Sequence, residues 1–462
     1  MGKRASQHQT TFPPKPYRMV KLFRRIFNAP LVWLHRIYNY VAQSSLTNTK
    51  LQAFMSRFLA VAPTLALEAM AFGRGKRYRH FANPRLSQVN ATTRNPSSSI
   101  NPWPLVDSAS TNPPEIDWKA LTKVLDDAFR EEDPGSPKRT RAVVVVQDGW
   151  VMAERYAKGV NPDAPLRGWS MSKSVAHALI GRAIQEGLFD PTHPPIVPEW
   201  SDPQDPRHEI SLNQLLRMRS GLAFEESGEL NSDLLQMLQQ KDMAHFAARK
   251  PLDKSPRKKW KYTSGPTNIL SRMLRHSIDN DELYWKFPSQ ELFEPLGMTS
   301  AVFETDKSGT FVGSSGVLAS GQDWARFGQL YLDNGKWNGE QLIPKKWVKE
   351  ARRSTHGSRQ KYGAHWWLSS RKSRPDLPND SYSAEGFQGQ LLLIAPSQCA
   401  VIVRLGQTPK KGGFDKNAFG AQVLLALRRG KPDKFSSKPR RSHINTGIQE
   451  QKKGILKNQR TQ

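Results

Sequence analysis

The strongest constraint on this chain is where its strand-forming residues fall. Ala142–Gln147 holds four consecutive valines, Trp150–Tyr156 reads as a second strand, and Asp148-Gly149 between them suits a two-residue hairpin turn. An isolated hairpin is marginal in water, so this one needs further strands. Strand patterns return only late, at Gln390–Ala395 and Ala400–Leu405, joined across Pro396-Ser397. From about 190 to 375 the pattern is helix and loop. Helical patterns near Trp118–Arg130 and Phe414–Leu427 bracket the whole. This spacing predicts an α+β fold: one antiparallel sheet built from N- and C-terminal strands, flanked by helices, with a mostly helical inserted subdomain.

The formal net charge of +28 looks like a nucleic-acid signal until it is located. Residues 1–112 carry net +14 and residues 428–462 net +9, which leaves +5 over 113–427. The basicity belongs to the ends, so no specific nucleic-acid partner is expected, although such tails can hold phosphates without specificity. The chain divides into a basic extension and linker (1–112), a body (113–430) and a basic polar tail (431–462) expected to be disordered.

Within the extension, Leu22, Phe23, Ile26, Phe27, Leu31, Leu34, Ile37 and Val41 recur at helical spacing among Lys21, Arg24, Arg25 and Arg36. Such a basic amphipathic helix can lie on an anionic membrane surface, or it can pack on the body, interrupted at Pro30. Residues 54–73 are apolar but contain Arg57, Pro63 and Glu68, which argues against a spanning helix. No acid precedes Glu68, a trait shared with transit peptides, yet no clear cleavage signal follows. Membrane association through residues 20–73 is the localisation suggested; the compartment stays open. Residues 82–114, rich in Asn, Ser, Thr and Pro, read as a linker.

A single cysteine, Cys399, excludes an intrachain disulfide and a cysteine-built metal site. The 11 histidines show no pair at helical ligand spacing, so neither a metal nor another cofactor is expected.

Chemistry concentrates at Trp169-Ser170-Met171-Ser172-Lys173-Ser174-Val175, which opens a helix whose apolar stripe runs through Leu179, Ile180, Ala183, Ile184 and Leu188. Ser170 and Lys173 lie three residues apart and therefore on one face. An amine desolvated beside a hydroxyl loses basicity enough to act as its base. The Ser170 backbone N–H, in the first turn, can meet a developing oxyanion. The bare pattern is weak, because Ser255/Lys258, Ser358/Lys361 and Ser369/Lys372 share it.

Two further stretches carry candidate roles. Tyr262, in Trp260-Lys261-Tyr262-Thr263-Ser264-Gly265, precedes another apolar helix and could exchange protons if a neighbouring cation lowered its pKa. Glu385-Gly386-Phe387-Gln388-Gly389-Gln390 leads into a strand, where glycines permit close backbone approach to a ligand or simply a turn.

In this order the three stretches resemble the class C β-lactamase-like serine hydrolases, the penicillin-recognising fold that also holds carboxylesterases and 6-aminohexanoate-dimer hydrolases. Leu215–Leu222, Pro295–Thr299, Gly316–Gly328, Trp337-Asn338-Gly339, Tyr362-Gly363 and Trp366-Trp367 extend the likeness over about 140–427. It implies Ser170 as acylated nucleophile, Lys173 as general base and Tyr262 as the proton shuttle to the leaving group. It also implies an oxyanion hole from the backbone N–H groups of Ser170 and Gln390, with Ser264, Phe387, Gln388 and Gly389 contacting a small-molecule ester or amide.

Two departures bear on the substrate. Tyr-Thr-Ser stands where β-lactamases carry Tyr-x-Asn, and Phe387-Gln388-Gly389 where they carry Lys-Thr-Gly, which removes a cation suited to a β-lactam carboxylate. Ester or linear amide hydrolysis is therefore expected ahead of the alternatives, which are β-lactamase or peptidase activity and a non-catalytic binding scaffold. A chain trimmed of residues 1–112 and 431–462 should keep its hydrolytic activity and lose salt-sensitive, non-specific binding to nucleic acid. Co-sedimentation alongside ester turnover checks this, and loss of both would displace the domain boundaries.

Overall fold

The computed structural model describes residues 116–427 apart from 192–196, 228, 230 and 410–412. The expected amphipathic helix, the apolar stretch at 54–73, the linker and the tail lie outside the described residues. Among the described residues no helix is long and apolar enough to cross a membrane.

Helix α1 (Trp118–Phe129) starts at Asp117, whose carboxylate accepts the Ala120 N–H at 2.9 Å. Strands β1 (Thr140–Gln147) and β2 (Trp150–Tyr156) follow as the expected hairpin. Asp148 and Gly149 take φ of 49° and 78°, the paired left-handed conformation that matches strand twist in a two-residue turn. After the short β3 (Leu166–Arg167), a turn of 3-10 helix over Trp169–Met171 leads into α2 (Ser172–Gln185). Helix α2 is shorter than its apolar stripe implied. Gly187 turns left-handed and Leu188 donates back to the Ala183 carbonyl, leaving the Leu188 side chain exposed.

The insert contributes α3 (Gly265–Ile278) and several short helices, as expected. It also holds strands that two- or three-residue runs do not advertise: β4 (Val302–Phe303) and β5 (Val317–Ala319) join β3 in a small sheet. Lys336–Trp337 pairs with Glu340–Gln341. Then come α4 (Gly321–Leu332), β6 (Trp367–Leu368), β7 (Tyr382–Gly386), β8 (Gln390–Ala395), β9 (Ala400–Gly406) and α5 (Lys416–Ala426).

The main sheet is antiparallel with strand order β2-β1-β9-β8-β7-β6. Its N-terminal hairpin pairs directly with the last strand, Val144 opposite Val403, so both ends of the body close one sheet. Both faces are buried, which explains the continuous apolar runs in place of alternation. Val144, Leu392 and Val403 face α2, α4 and the insert, while Val143, Leu393 and Ile402 face α1 and α5. Helix α4 approaches the sheet most closely at Gly328, where a Cβ would lie 2.5 Å from Val401 Cγ1 and 2.7 Å from Leu392 Cδ1. Gly328→Ala should therefore destabilise by overpacking, by about 1–3 kcal/mol. A lower urea midpoint with an unchanged slope is the expected readout; an unshifted midpoint would refute so tight a contact.

Candidate active site

The turn before α2 is held against backbone preference. Trp169 has φ of 52°, a region that bulky L-residues rarely enter. Its indole Nε1 donates to Gln388 Oε1 at 3.2 Å, its ring meets the Phe387 ring edge-on at 5.5 Å, and the Arg167 guanidinium lies 5.4 Å from its centroid. Gly168 leaves no room for a side chain, since a Cβ there would lie 2.3 Å from Trp324 Cζ2. Ser172 Oγ donates to the Trp169 carbonyl at 2.7 Å and accepts the Val317 N–H at 2.9 Å, which ties the turn to β5.

That turn leaves Ser170 half-buried, with its Oγ 2.9 Å from Lys173 Nζ. Lys173 is 1% exposed and also donates to Ser264 Oγ at 3.2 Å and to the Ser314 carbonyl at 3.1 Å. Burial pulls the Lys173 pKa from 10.5 down to about 8, while the nearby Glu226 carboxylate opposes the shift. In the other three Ser-x-x-Lys matches, Lys258, Lys361 and Lys372 are all exposed. Burial of the amine is what distinguishes the Ser170 match.

Tyr262 enters from the segment before α3. Its hydroxyl is hydrogen-bonded to Ser170, and Lys173 Nζ lies 5.0 Å from its ring centroid. Tyr362 and Trp367 pack on the ring at 5.7 and 5.1 Å. The expected lowering of its pKa does not occur: burial raises it, the Ser170 hydrogen bond only partly opposing. Tyr262 is a protonated phenol, not a standing phenolate.

Ser264 is joined to an acid that sequence reasoning missed. Glu226 accepts the Ser264 hydroxyl at 2.6 Å and the Ser264 N–H at 2.9 Å, so Lys173, Ser264 and Glu226 form one chain of hydrogen bonds. Glu226 follows the Ser220-Gly221-Leu222 stretch closely, but nothing in its spacing signals a partner 38 positions away.

The third stretch needs a correction at Gln390. In an antiparallel ladder, successive residues turn their N–H and C=O groups to opposite sides. The Ser381 carbonyl accepts the Ser369 N–H on the outer side of β7, so alternation turns Ser383 and Glu385 outward and Gly386 inward to β8. Gln390 is the ladder partner of Gly386, so its N–H belongs to the sheet interior. Its side chain is also occupied, donating to the Phe387 and Gly406 carbonyls. The next outward N–H on the β7 edge is that of Phe387. This end of β7 abuts the Ser170 turn, where a Cβ on Gly386 would lie 2.1 Å from the Gly168 carbonyl oxygen. Phe387 itself is 36% exposed beside Trp169, Gln388 is buried on the Trp169 indole, and Gly389 backs onto Arg404.

Comparison with known proteins bears on the family and the fold. The β-lactamase family pattern matches residues 134–427. The chain is 24% identical over 385 residues to the 6-aminohexanoate-dimer hydrolase of Paenarthrobacter ureafaciens, covering 76% of this chain and 91% of that protein. It superimposes on the crystal structure of a family VIII carboxylesterase with a TM-score of 0.56 at 11% identity, covering 68% of this chain and 98% of that one.

The depressed Lys173 pKa has a sign that can be tested. The unfolded chain keeps this proton up to about 10.5, whereas the folded chain releases it near 8. Folding stability should therefore rise with pH between those values, by roughly 3 kcal/mol in total, because the unfolded state binds more protons there. Lys173→Met should lack that increment. Urea midpoints for both proteins at the two ends of the window check it, and parallel pH profiles would refute it.

Proposed function

Because this chain belongs to the β-lactamase family of hydrolases, we propose that it cleaves an ester or linear amide through an acyl-enzyme on Ser170. The observation that carries this reading is the buried amine of Lys173, 2.9 Å from Ser170 Oγ. In its neutral form Lys173 accepts the Ser170 proton as Oγ attacks the substrate carbonyl. The oxyanion is met by the Ser170 N–H and, on the strand alternation described above, by the Phe387 N–H in place of Gln390. Tyr262 then protonates the leaving group and recovers its proton from Lys173. Water attacks the acyl-enzyme with the same groups acting in reverse, and the product carboxylic acid leaves Ser170 free.

Several features favour a linear ester or amide over a β-lactam. No lysine occupies the strand before Phe387, which reads Ala384-Glu385-Gly386. Arg374 and Lys416, beside the end of this strand, both pair with Glu385. A carboxylate-bearing ring would meet a compensated group there instead of a bare charge. The name of the Paenarthrobacter relative, a hydrolase of 6-aminohexanoate dimer, points to a linear amide.

A fluorophosphonate probe should label the protein, and Ser170→Ala should abolish labelling; labelling that persists would remove Ser170 from the role. Lys173→Ala should lower kcat by about 100–10,000-fold, the usual range for a general base. Lys258→Ala should leave kcat unchanged. Since the neutral amine is the active form, kcat/KM should climb as pH rises through about 8. Glu226→Gln removes the charge that holds this pKa up, so the limb should move to lower pH. A limb that stays put would separate Glu226 from Lys173. A panel of short-chain esters, linear amides and a chromogenic β-lactam tests the substrate class.

A further inference from the structure

We infer that Arg404, on the interior strand β9, is a positioning residue for this hydrolysis: it fixes the Gln388–Gly389 turn that presents Phe387 and clamps Trp169 beside Ser170. The inference rests on the reading of Ser170 as nucleophile.

Arg404 is 0% exposed and lies between Val403 and Leu405, in a strand whose other residues fill the core. Its hydrogen bonds go to neutral acceptors. Nη1 donates to the Gln388 carbonyl at 3.1 Å and the Gly389 carbonyl at 3.0 Å. Nη2 donates to the Lys138 carbonyl at 2.6 Å, Thr140 Oγ1 at 2.9 Å and Thr408 Oγ1 at 3.0 Å, and Nε to Thr140 Oγ1 at 3.2 Å. The Phe414 ring centroid lies 4.1 Å from the guanidinium carbon. Glycines make the room: a Cβ at Gly389 would lie 2.6 Å from Nη1, and one at Gly406 would lie 2.3 Å from Cζ.

Filling space does not require this residue. A buried charge costs more than an aliphatic side chain of similar volume unless all its donors are satisfied. What a leucine cannot do is hold two successive carbonyls, whereas a planar guanidinium presents donors in a fixed fork. The turn needs such a hold, because Gln388 and Gly389 take φ of 64° and 81° and leave the ladder. The Thr408 N–H, at 3.2 Å, also reaches the Gln388 carbonyl.

The consequence reaches the nucleophile in two ways. With its backbone carbonyl fixed, Gln388 extends its side chain to accept the Trp169 indole, and Trp169 is the strained residue that precedes Ser170. In a trans peptide the N–H points opposite the C=O. Aiming the Gly389 carbonyl at Arg404 therefore sends the Gln390 N–H back toward Gly386, which secures the strand end that leads to Phe387.

The test uses full-length protein and a fluorophosphonate probe, read both as final labelled fraction and as rate constant. For Arg404→Gln we expect the labelling rate constant, and kcat per labelled site, to fall by about 10–100-fold, with KM nearly unchanged. Arg404→Lys keeps the charge without the fork and should fall in between. A purely structural role predicts a smaller labelled fraction that reacts at the wild-type rate, and that result overturns the proposal. If Arg404 variants do not fold, Thr408→Val decides. It removes a hydroxyl that accepts from Arg404 and donates to the Lys138 carbonyl, and a fall of roughly 3–10-fold is expected. An unchanged rate in that variant would refute the role. Labelling that survives Ser170→Ala is a different failure: it overturns the nucleophile first, and this proposal with it.

Discussion

The site depends on removing one amine from water. Lys173 Nζ is the point at which three remote segments meet: the Ser170 turn, the start of α3 at Ser264, and the Ser314 carbonyl ahead of β5. None of these contacts would matter in a solvated lysine, which stays charged and mobile. Helix α2 makes them possible because the sheet and the insert cover it from both sides, so that Lys173, His177 and the apolar residues between them are all buried. The fold is a device for holding that helix, with its first turn reaching the edge of the buried region.

Such a position asks for rigidity where the chain would prefer to relax. A tryptophan at positive φ costs about 1–3 kcal/mol, and it persists only where surroundings overdetermine it. Around Trp169 those surroundings come from both halves of the chain: Arg167 from the small sheet, Gln388 and Phe387 from the turn after β7, Trp324 behind Gly168. The strained residue is thus held by parts of the fold that cannot shift independently. The open edge of β7 beyond β6 is the complementary feature, since a paired edge would have no N–H to offer.

How much of this was legible in the sequence follows from the range of the signals involved. The β1–β2 hairpin could be read because Asp148-Gly149 encodes its turn locally, and β8 and β9 because each is a run of consecutive apolar residues. Strand β7 could not, since its alternation, Tyr382-Ser383-Ala384-Glu385, spans four residues and carries a single large apolar side chain. The resemblance assigned Gln390 by its place after Gly389, and without β7 in view nothing showed that Gln390 is the ladder partner of Gly386. The bare Ser-x-x-Lys pattern occurs four times; the helix that Ser170 opens and the stretches that follow it single it out in the sequence, and burial separates Lys173 from three exposed lysines. Glu226 had no local signal at all, and the Tyr262 pKa depends on packing by Tyr362 and Trp367, which no spacing reveals.

Two buried cations show how one environment yields opposite outcomes. Burial disfavours the charged form of both, and it pulls Lys173 down to about 8. The arginine starts from 12.5 and has neutral acceptors for its whole fork, so it stays charged near neutral pH and serves as a fixed brace. The lysine starts from 10.5 with three acceptors, among them the Ser170 hydroxyl, and it lies close enough to neutrality to exchange its proton. Interchanging the two would defeat both functions. A guanidinium beside Ser170 could not give up its proton to become a base, and an ammonium behind Gly389 could not hold two carbonyls in one plane. The chemistry of the site and the stiffness of its frame are therefore set by the same physical step, desolvation of a cation, applied to side chains of different basicity and shape.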